Sequence, residues 1–371
     1  MIEILPKLQL YKLSRAIGWP RLMPISYTIS VSYNCNSRCK TCNVWKKKAN
    51  DLTLEEWDQV FTSIGKGPVW FTFSGGEPFL RPDIEKLVKL AYNRCQPQII
   101  NIPTNGILWN IIPRKAEEIA KSCPESEVVI NLSLDQVGAK HEEIRQIPGN
   151  WGFSMKTWEG LKDVQKRCPN LTLGIHSVVS NFNVDDFKNV YDGLNKLKPD
   201  SYITEIAEER VELDTIGTGI TPSYDKYSKA IDYVMEQMKK RSPKGVARMA
   251  WAFRLQYYQI VKKWVRDKKS LGDRLPQGKQ IIPCYAGQLS VQISPDGDLW
   301  ACCIRASKDA FGNLRKANYD FRKVWFSTKA DKIRQSIKNK ECSCPLANAH
   351  YTNMLEHFPT LFKAGWKVLF K

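Results

Sequence analysis

No run of about 18 apolar residues occurs in this 371-residue chain, which excludes a membrane-spanning helix read from sequence. The opening segment has no signal-peptide h-region either, because Lys7, Lys12 and Arg15 interrupt its apolar residues. A cytoplasmic protein is therefore expected. There is no internal repeat and no low-complexity tract. Acidic residues are scarce, 38 Asp+Glu against 56 Lys+Arg, for a net charge of +18. Neither hydrophobic nor charged residues are in deficit, at 43% and 25%, so wholesale disorder is excluded and a full core is expected. Eleven cysteines without a secretory signal point to metal or redox chemistry rather than to a disulfide framework.

The basic charge is concentrated. Residues 239–279 carry thirteen Lys/Arg against Asp267 and Asp273, interleaved with Trp251, Phe253, Tyr257, Tyr258 and Trp264. Two readings stand: a solvated helical face over an aromatic core stripe, or a surface for an anionic partner. The cysteines also cluster. Cys35, Cys39 and Cys42 form C-x3-C-x2-C, and Cys284, Cys302, Cys303, Cys342 and Cys344 lie in the last quarter. Isolated Cys95, Cys123 and Cys168 read as small buried hydrophobes.

From 25 to 210, apolar β-branched runs alternate with helical stretches. Strands are expected over 25–32, 69–74, 98–103, 128–134, 171–179 and 202–206, near-continuously apolar as in a covered sheet. Helices are expected over 54–64, 83–94, 113–121, 155–167 and 184–197, the first capped by Thr53 with Glu56 three residues on. Six βα units give a parallel sheet, either open and doubly wound or an incomplete barrel. After 280, an alternating pattern around Pro295-Asp296-Gly297 signals a hairpin in a small Cys-rich module.

The C-x3-C-x2-C loop follows the first strand, where parallel αβ folds place their sites. Three thiolates can hold three irons of a [4Fe–4S] cluster and leave the fourth open. The alternative is a zinc site completed by a distant residue such as Cys95 or His141. After the second strand stands Gly75-Gly76-Glu77-Pro78. Paired glycines permit close approach of a ligand to the backbone, and the carboxylate can accept from an ammonium.

These features together resemble the radical S-adenosylmethionine (SAM) superfamily. Thr104-Asn105-Gly106, Ser133-Leu134-Asp135 and His141 to Arg145 add to the resemblance, which covers roughly 25–210. Thr41 departs from it, since many members carry an aromatic residue there. The resemblance implies an α/β fold, a partial (β/α)6 TIM-type barrel. It also implies a [4Fe–4S] cluster on Cys35, Cys39 and Cys42, with SAM on the open iron. Gly75, Gly76 and Glu77 would meet the methionyl ammonium, and Ser133 and Arg145 the ribose or carboxylate, with Asn105 as a further candidate. No catalytic acid or base is assigned; His176 and Asp135 are plausible cavity residues. An electron donor such as flavodoxin or ferredoxin is implied.

The C-terminal module resembles the SPASM or twitch auxiliary-cluster region, a small α+β module, although only Cys342-x-Cys344 remains of its second half. One auxiliary [4Fe–4S] cluster on Cys284, Cys302, Cys342 and Cys344 is implied, with Cys303 a bystander. The expected organisation is an amphipathic segment (1–24), the barrel (25–235), a basic aromatic linker (236–280), the auxiliary module (281–350) and an amphipathic helix (351–371).

Phe358, Phe362, Trp366 and Phe370 recur at i+4 beside Lys363, Lys367 and Lys371, as in an interfacial anchor. Leu10, Leu13 and Ile17 look similar. Docking on the barrel is favoured for the N-terminal helix, and for the C-terminal one contact with an anionic membrane stands equally. Only 24 residues precede the first strand, too few for a peptide-recognition domain. An anionic or lipid-linked small molecule is thus the expected substrate. A peptide or protein substrate is the alternative, and a zinc-stapled nucleic-acid binder the non-enzymatic rival.

Overall fold

In the computed structural model, residues 5–241, 243, 247–267, 280–306 and 309–369 are described. Helix α1 (Leu5–Ile17) leads into strand β1 (Ser26–Ser32). Then come α2 (Leu54–Ile64), β2 (Trp70–Gly75), α3 (Ile84–Cys95), β3 (Ile99–Thr104), α4 (Ile112–Ser122), β4 (Glu127–Ser133), α5 (Ala139–Arg145), α6 (Asn150–Gln165), β5 (Leu171–Val179), α7 (Phe187–Asn195) and β6 (Ser201–Ile206). The six expected strands lie within one residue of these bounds. Thr53 caps α2 as expected, accepting from the Glu56 amide while the Glu56 carboxylate accepts from the Thr53 amide.

Strands β1 to β6 pair in parallel in chain order. The order never reverses, so there is no switch point of a doubly wound sheet, and the alternative left open by periodicity resolves to a partial barrel. The strands alternate rather than running apolar throughout. Ile29, Val31, Phe71, Phe73, Ile100, Ile102, Ile130, Leu132 and Ile175 are buried on the helix side. On the other face stand Thr28, Ser30, Thr72, Asn101, Asn131, His176 and Glu205. The Asn131 amide donates to Asn101 Oδ1 at 2.6 Å, and Asn101 in turn reaches Thr72 Oγ1 at 3.4 Å. A concave barrel wall must solvate itself or a ligand, and these side chains do so.

The remainder comprises α8 (Tyr224–Lys240), α9 (Ala247–Asp267), β7 (Ser290–Ile293), β8 (Asp298–Trp300), β9 (Gly312–Asn313), α10 (Phe321–Trp325), α11 (Thr328–Lys338), α12 (Ala347–Leu355) and α13 (Phe358–Leu369). The expected hairpin is β7–β8, which pairs antiparallel. Its strand β7 also pairs parallel with β1, Ser26 to Ser290 through Ile29 to Ile293, so one nine-stranded sheet runs through both halves.

Helix α9 settles the described part of the basic segment. Trp251, Leu255, Tyr257, Tyr258, Val261 and Trp264 are buried in the main core. Arg254 is bonded to the Tyr202 carbonyl and Ser201, Lys262 to Asp232, and Arg266 to Asp267. The aromatic interleaving is core packing rather than a stacking platform. Lys244, Lys268, Lys269, Arg274 and Lys279 lie outside the described residues, as do Phe370 and Lys371.

Candidate cluster and cofactor site

The carboxyl ends of β1 to β4 carry the sequence-marked residues to one rim. Cys35, Cys39 and Cys42 occupy the loop after β1, and all three are free, half-buried thiols. Burial pushes Cys35 up to about 11 and Cys42 to about 12. As bare side chains they are thiols at neutral pH, so a metal binding here must displace protons.

The loop is held from outside by α5. The amide of Arg38 donates to the Arg145 carbonyl (3.1 Å) and that of Lys40 to the Ile144 carbonyl (2.9 Å). The guanidinium of Arg38 donates to the Cys35 carbonyl at 2.7 Å and stacks on Trp45 at 4.4 Å. Inside the loop, the Ser37 amide points at Cys35 Sγ (3.4 Å) and its hydroxyl lies 3.3 Å from Cys39 Sγ. Asn105 Nδ2 bonds Asn36 Oδ1 at 2.7 Å and approaches Cys35 Sγ at 4.0 Å. Asn36 and Ser37 escaped the sequence reading, although their place inside the C-x3-C spacing was the signal for them.

The glycine pair is packed against the cysteine loop. A Cβ on Gly75 would stand 2.2 Å from the Ser32 carbonyl oxygen, and one on Gly76 2.1 Å from that of Asn34. What approaches them is the backbone of the cysteine loop itself. Glu77 is likewise turned inward: it is 2% exposed and accepts from the Phe79 amide, the Thr104 hydroxyl and the Asn105 amide. Burial raises its pKa to about 7 against those donors. It ties β2 to β3 instead of offering an open carboxylate.

Arg145 stands by the cysteine loop: its guanidinium pairs with Asp135 at 2.8 Å and reaches Cys39 Sγ at 3.5 Å. Asp135 is 1% exposed in this pair and accepts from the Val178 amide, which removes it from the cavity. Ser133 ends β4 on the inner face, in register with His176, whose Nε2 lies 3.4 Å from Glu205 Oε1.

Cys95 Sγ lies against the Phe61 carbonyl, and His141 is fully buried with Nδ1 facing the Asp135 amide and Nε2 without a hydrogen-bond partner. In the C-terminal module, Cys284, Cys302, Cys342 and Cys344 line one cavity with Trp264, Ile304 and His350. Burial raises all four thiols, Cys342 to about 11. Cys303 turns away, toward Arg210 Nη1 at 3.4 Å.

Residues 29–194 match the model of the radical SAM superfamily, and residues 284–345 match the SPASM iron–sulfur cluster-binding domain. The N-terminal part of this chain is a radical SAM domain by that match. The SPASM match opens at Cys284 and closes one residue beyond Cys344. The GTP 3′,8-cyclase of Rippkaea orientalis is 32% identical over 38% of this chain and 43% of its own length. The chain thus spans under half of that relative. The Fe-coproporphyrin III synthase of Methanosarcina barkeri is 25% identical over 86% of this chain and 77% of its own. Streptococcus suis SuiB bound to S-adenosylmethionine shares the fold, with a TM-score of 0.60 at 17% identity over 89% of this chain and 78% of SuiB.

The two matched domains imply a [4Fe–4S] cluster with SAM and an auxiliary iron–sulfur cluster. The residues fit them. Three thiols share one loop beside the Arg145 cation, whose Nε is buried without a protein partner. Four more thiols ring a cavity with apolar walls. Radical SAM proteins are enzymes, and the zinc-stapled nucleic-acid binder is set aside on these matches.

Proposed function

We propose that the chain reductively cleaves SAM and uses the 5′-deoxyadenosyl radical to remove a hydrogen atom from an anionic or lipid-linked small molecule. The carrying observation is the loop at Cys35, Cys39 and Cys42, three free thiols on one rim within the segment that matches the radical SAM superfamily. A [4Fe–4S] cluster held by Cys35, Cys39 and Cys42 would supply the low-potential electron for cleavage of SAM. In this reading Cys35, Cys39 and Cys42 ligate the first cluster, and Cys284, Cys302, Cys342 and Cys344 the second.

The chain's own residues hold and aim. Ser37 and Asn105 supply donors toward the thiolate sulfurs, which stabilises the charged form. Arg145 sets a positive charge beside Cys39 and fixes the loop through its carbonyl. Gly75 and Gly76 allow the loop to seat on β2, and Glu77 locks that rim to β3. Gly75, Gly76, Glu77, Asn105, Ser133 and Arg145 remain the residues offered to SAM. The wall of Thr72, Asn101, Asn131, His176 and Glu205 lines the space where a substrate would meet the radical. A flavodoxin or ferredoxin would deliver the electron, on the cytoplasmic side of a membrane.

A relative matched over most of the chain is named for a porphyrin product, which favours a small molecule. A peptide substrate is the second reading, favoured by SuiB, which has been crystallised bound to its precursor peptide SuiA. Anaerobic reconstitution with dithionite and SAM tests the proposal. Wild type is expected to release 5′-deoxyadenosine, and Cys39→Ala to release none. Nucleoside release by Cys39→Ala would contradict the site assignment.

A further inference from the structure

The two terminal helices are seated the wrong way round for water. Helix α13 buries its small residues, Thr360 at 5% and Ala364 at 1% exposed, among its neighbours. It turns Phe358 (70%), Phe362 (60%) and Trp366 (56%) outward, their rings in a row 6.4 and 6.2 Å apart. Helix α1 buries Leu8 and Tyr11 and exposes Leu10, Leu13 and Ile17 on the opposite side, with Trp19 following. Seven of the twelve exposed large hydrophobics among the described residues belong to these two segments. Such a concentration marks an interaction face, because scattered apolar residues need no partner and a contiguous set does.

Helix α1 lies at the junction of α12 and α13, where Leu355 packs against the cluster that holds Tyr11. Lys7 and Lys363 are exposed, while the nearby carboxylate of Glu356 is only 5% exposed. Aromatic side chains with a cationic rim, and no helix long and apolar enough to cross a membrane among the described residues, match a surface that lies in the headgroup region. We infer that α1 and α13 together form one docking face for an anionic lipid bilayer. The inference deepens the membrane-side part of the reading above and rests on that part alone. In this reading α1 docks with one face and leaves the other for lipid.

The face is tied to the SPASM module. Arg15 of α1 donates to the Cys284 carbonyl at 3.2 Å and stacks over Tyr285, and Lys338 of α11 donates to the Ala16 carbonyl at 2.8 Å. A bilayer held by α1 would lie one helix away from the segment that carries the first auxiliary cysteine.

Sedimentation of the purified full-length protein with vesicles tests this. The vesicles are either pure phosphatidylcholine or an equal mixture of phosphatidylcholine and phosphatidylglycerol. Wild type is expected to pellet with the mixed vesicles and far less with the neutral ones. The double variant Phe358→Ser, Phe362→Ser should lose about tenfold or more of that binding at an unchanged melting temperature. Lys363→Glu should lose preference for phosphatidylglycerol. Wild type remaining in the supernatant, or equal pelleting by the double variant, would overturn the inference. So would a dimer in ultracentrifugation that the same variant disperses, since a second copy would then cover the face. Release of 5′-deoxyadenosine is read separately, so its failure touches the chemistry and not this surface.

Discussion

A methyl group at Gly76 has nowhere to go, because the Asn34 carbonyl oxygen would lie 2.1 Å from it. The loop bearing three cysteines would have to lift off β2, at a cost of about 2 kcal/mol or more. Gly76→Ala is therefore expected to lower the iron retained by the N-terminal site while the far auxiliary site stays loaded. Iron and sulfide assay beside Cys39→Ala checks this, and full iron content in Gly76→Ala would contradict it. The glycine pair was legible as a place of close approach. Sequence does not say that the backbone of the cysteine loop packs there. The same holds for Arg145 and Asp135: their types suggest ligand contacts, yet each finds the other at 2.8 Å across the gap between α5 and β4. A charge with a partner in reach is spent on it, and only the fold decides reach.

Among elements, α2 shows how a local signal acquires a distant use. The Thr53–Glu56 capping box was readable from spacing alone. Its carboxylate also takes Arg315 at 2.7 Å and the Tyr319 hydroxyl at 2.7 Å, across to the SPASM module. Those partners, Arg315 first, hold Glu56 at about 2, below its ordinary 4.5. A depressed folded value means stability that is present above about 4.5 and lost as pH falls toward about 2. Glu56→Ala should cost about 1–3 kcal/mol near neutrality, and the gap to wild type should shrink on acidification. Thermal melts at about pH 7 and about pH 3 measure it, and a gap that widens in acid would refute it. Helix α9 is the opposite case. Its charge run read equally as surface or as cover over a core stripe, because a helix of 21 residues has room for both. Packing against α8, α12 and α13 turned the aromatics inward. The polar inner face of the strands was hidden for a similar reason: Asn101 and Asn131 look like breaks in apolar runs until barrel closure gives them a shared wall.

Over the whole molecule, the βα order and both cysteine groups could be read in the chain. Their union in one sheet could not. The β1–β7 pairing joins residues more than two hundred positions apart, and a four-residue strand such as Ser290–Ile293 does not name its partner. Nor does sequence disclose that residues 210–214 bridge the two halves. Arg210 reaches Cys303, while the Asn43 amide, just after Cys42, donates to the Leu213 carbonyl at 2.9 Å. The outward apolar faces of α1 and α13 were half visible, since periodicity shows a stripe but not which side the fold covers. The most direct test of the account is the electron paramagnetic resonance spectrum of the anaerobically reconstituted, dithionite-reduced protein with and without SAM. SAM is expected to alter the signal of the cluster at Cys35, Cys39 and Cys42, with 5′-deoxyadenosine formed. A spectrum indifferent to SAM, with no nucleoside released, would contradict it.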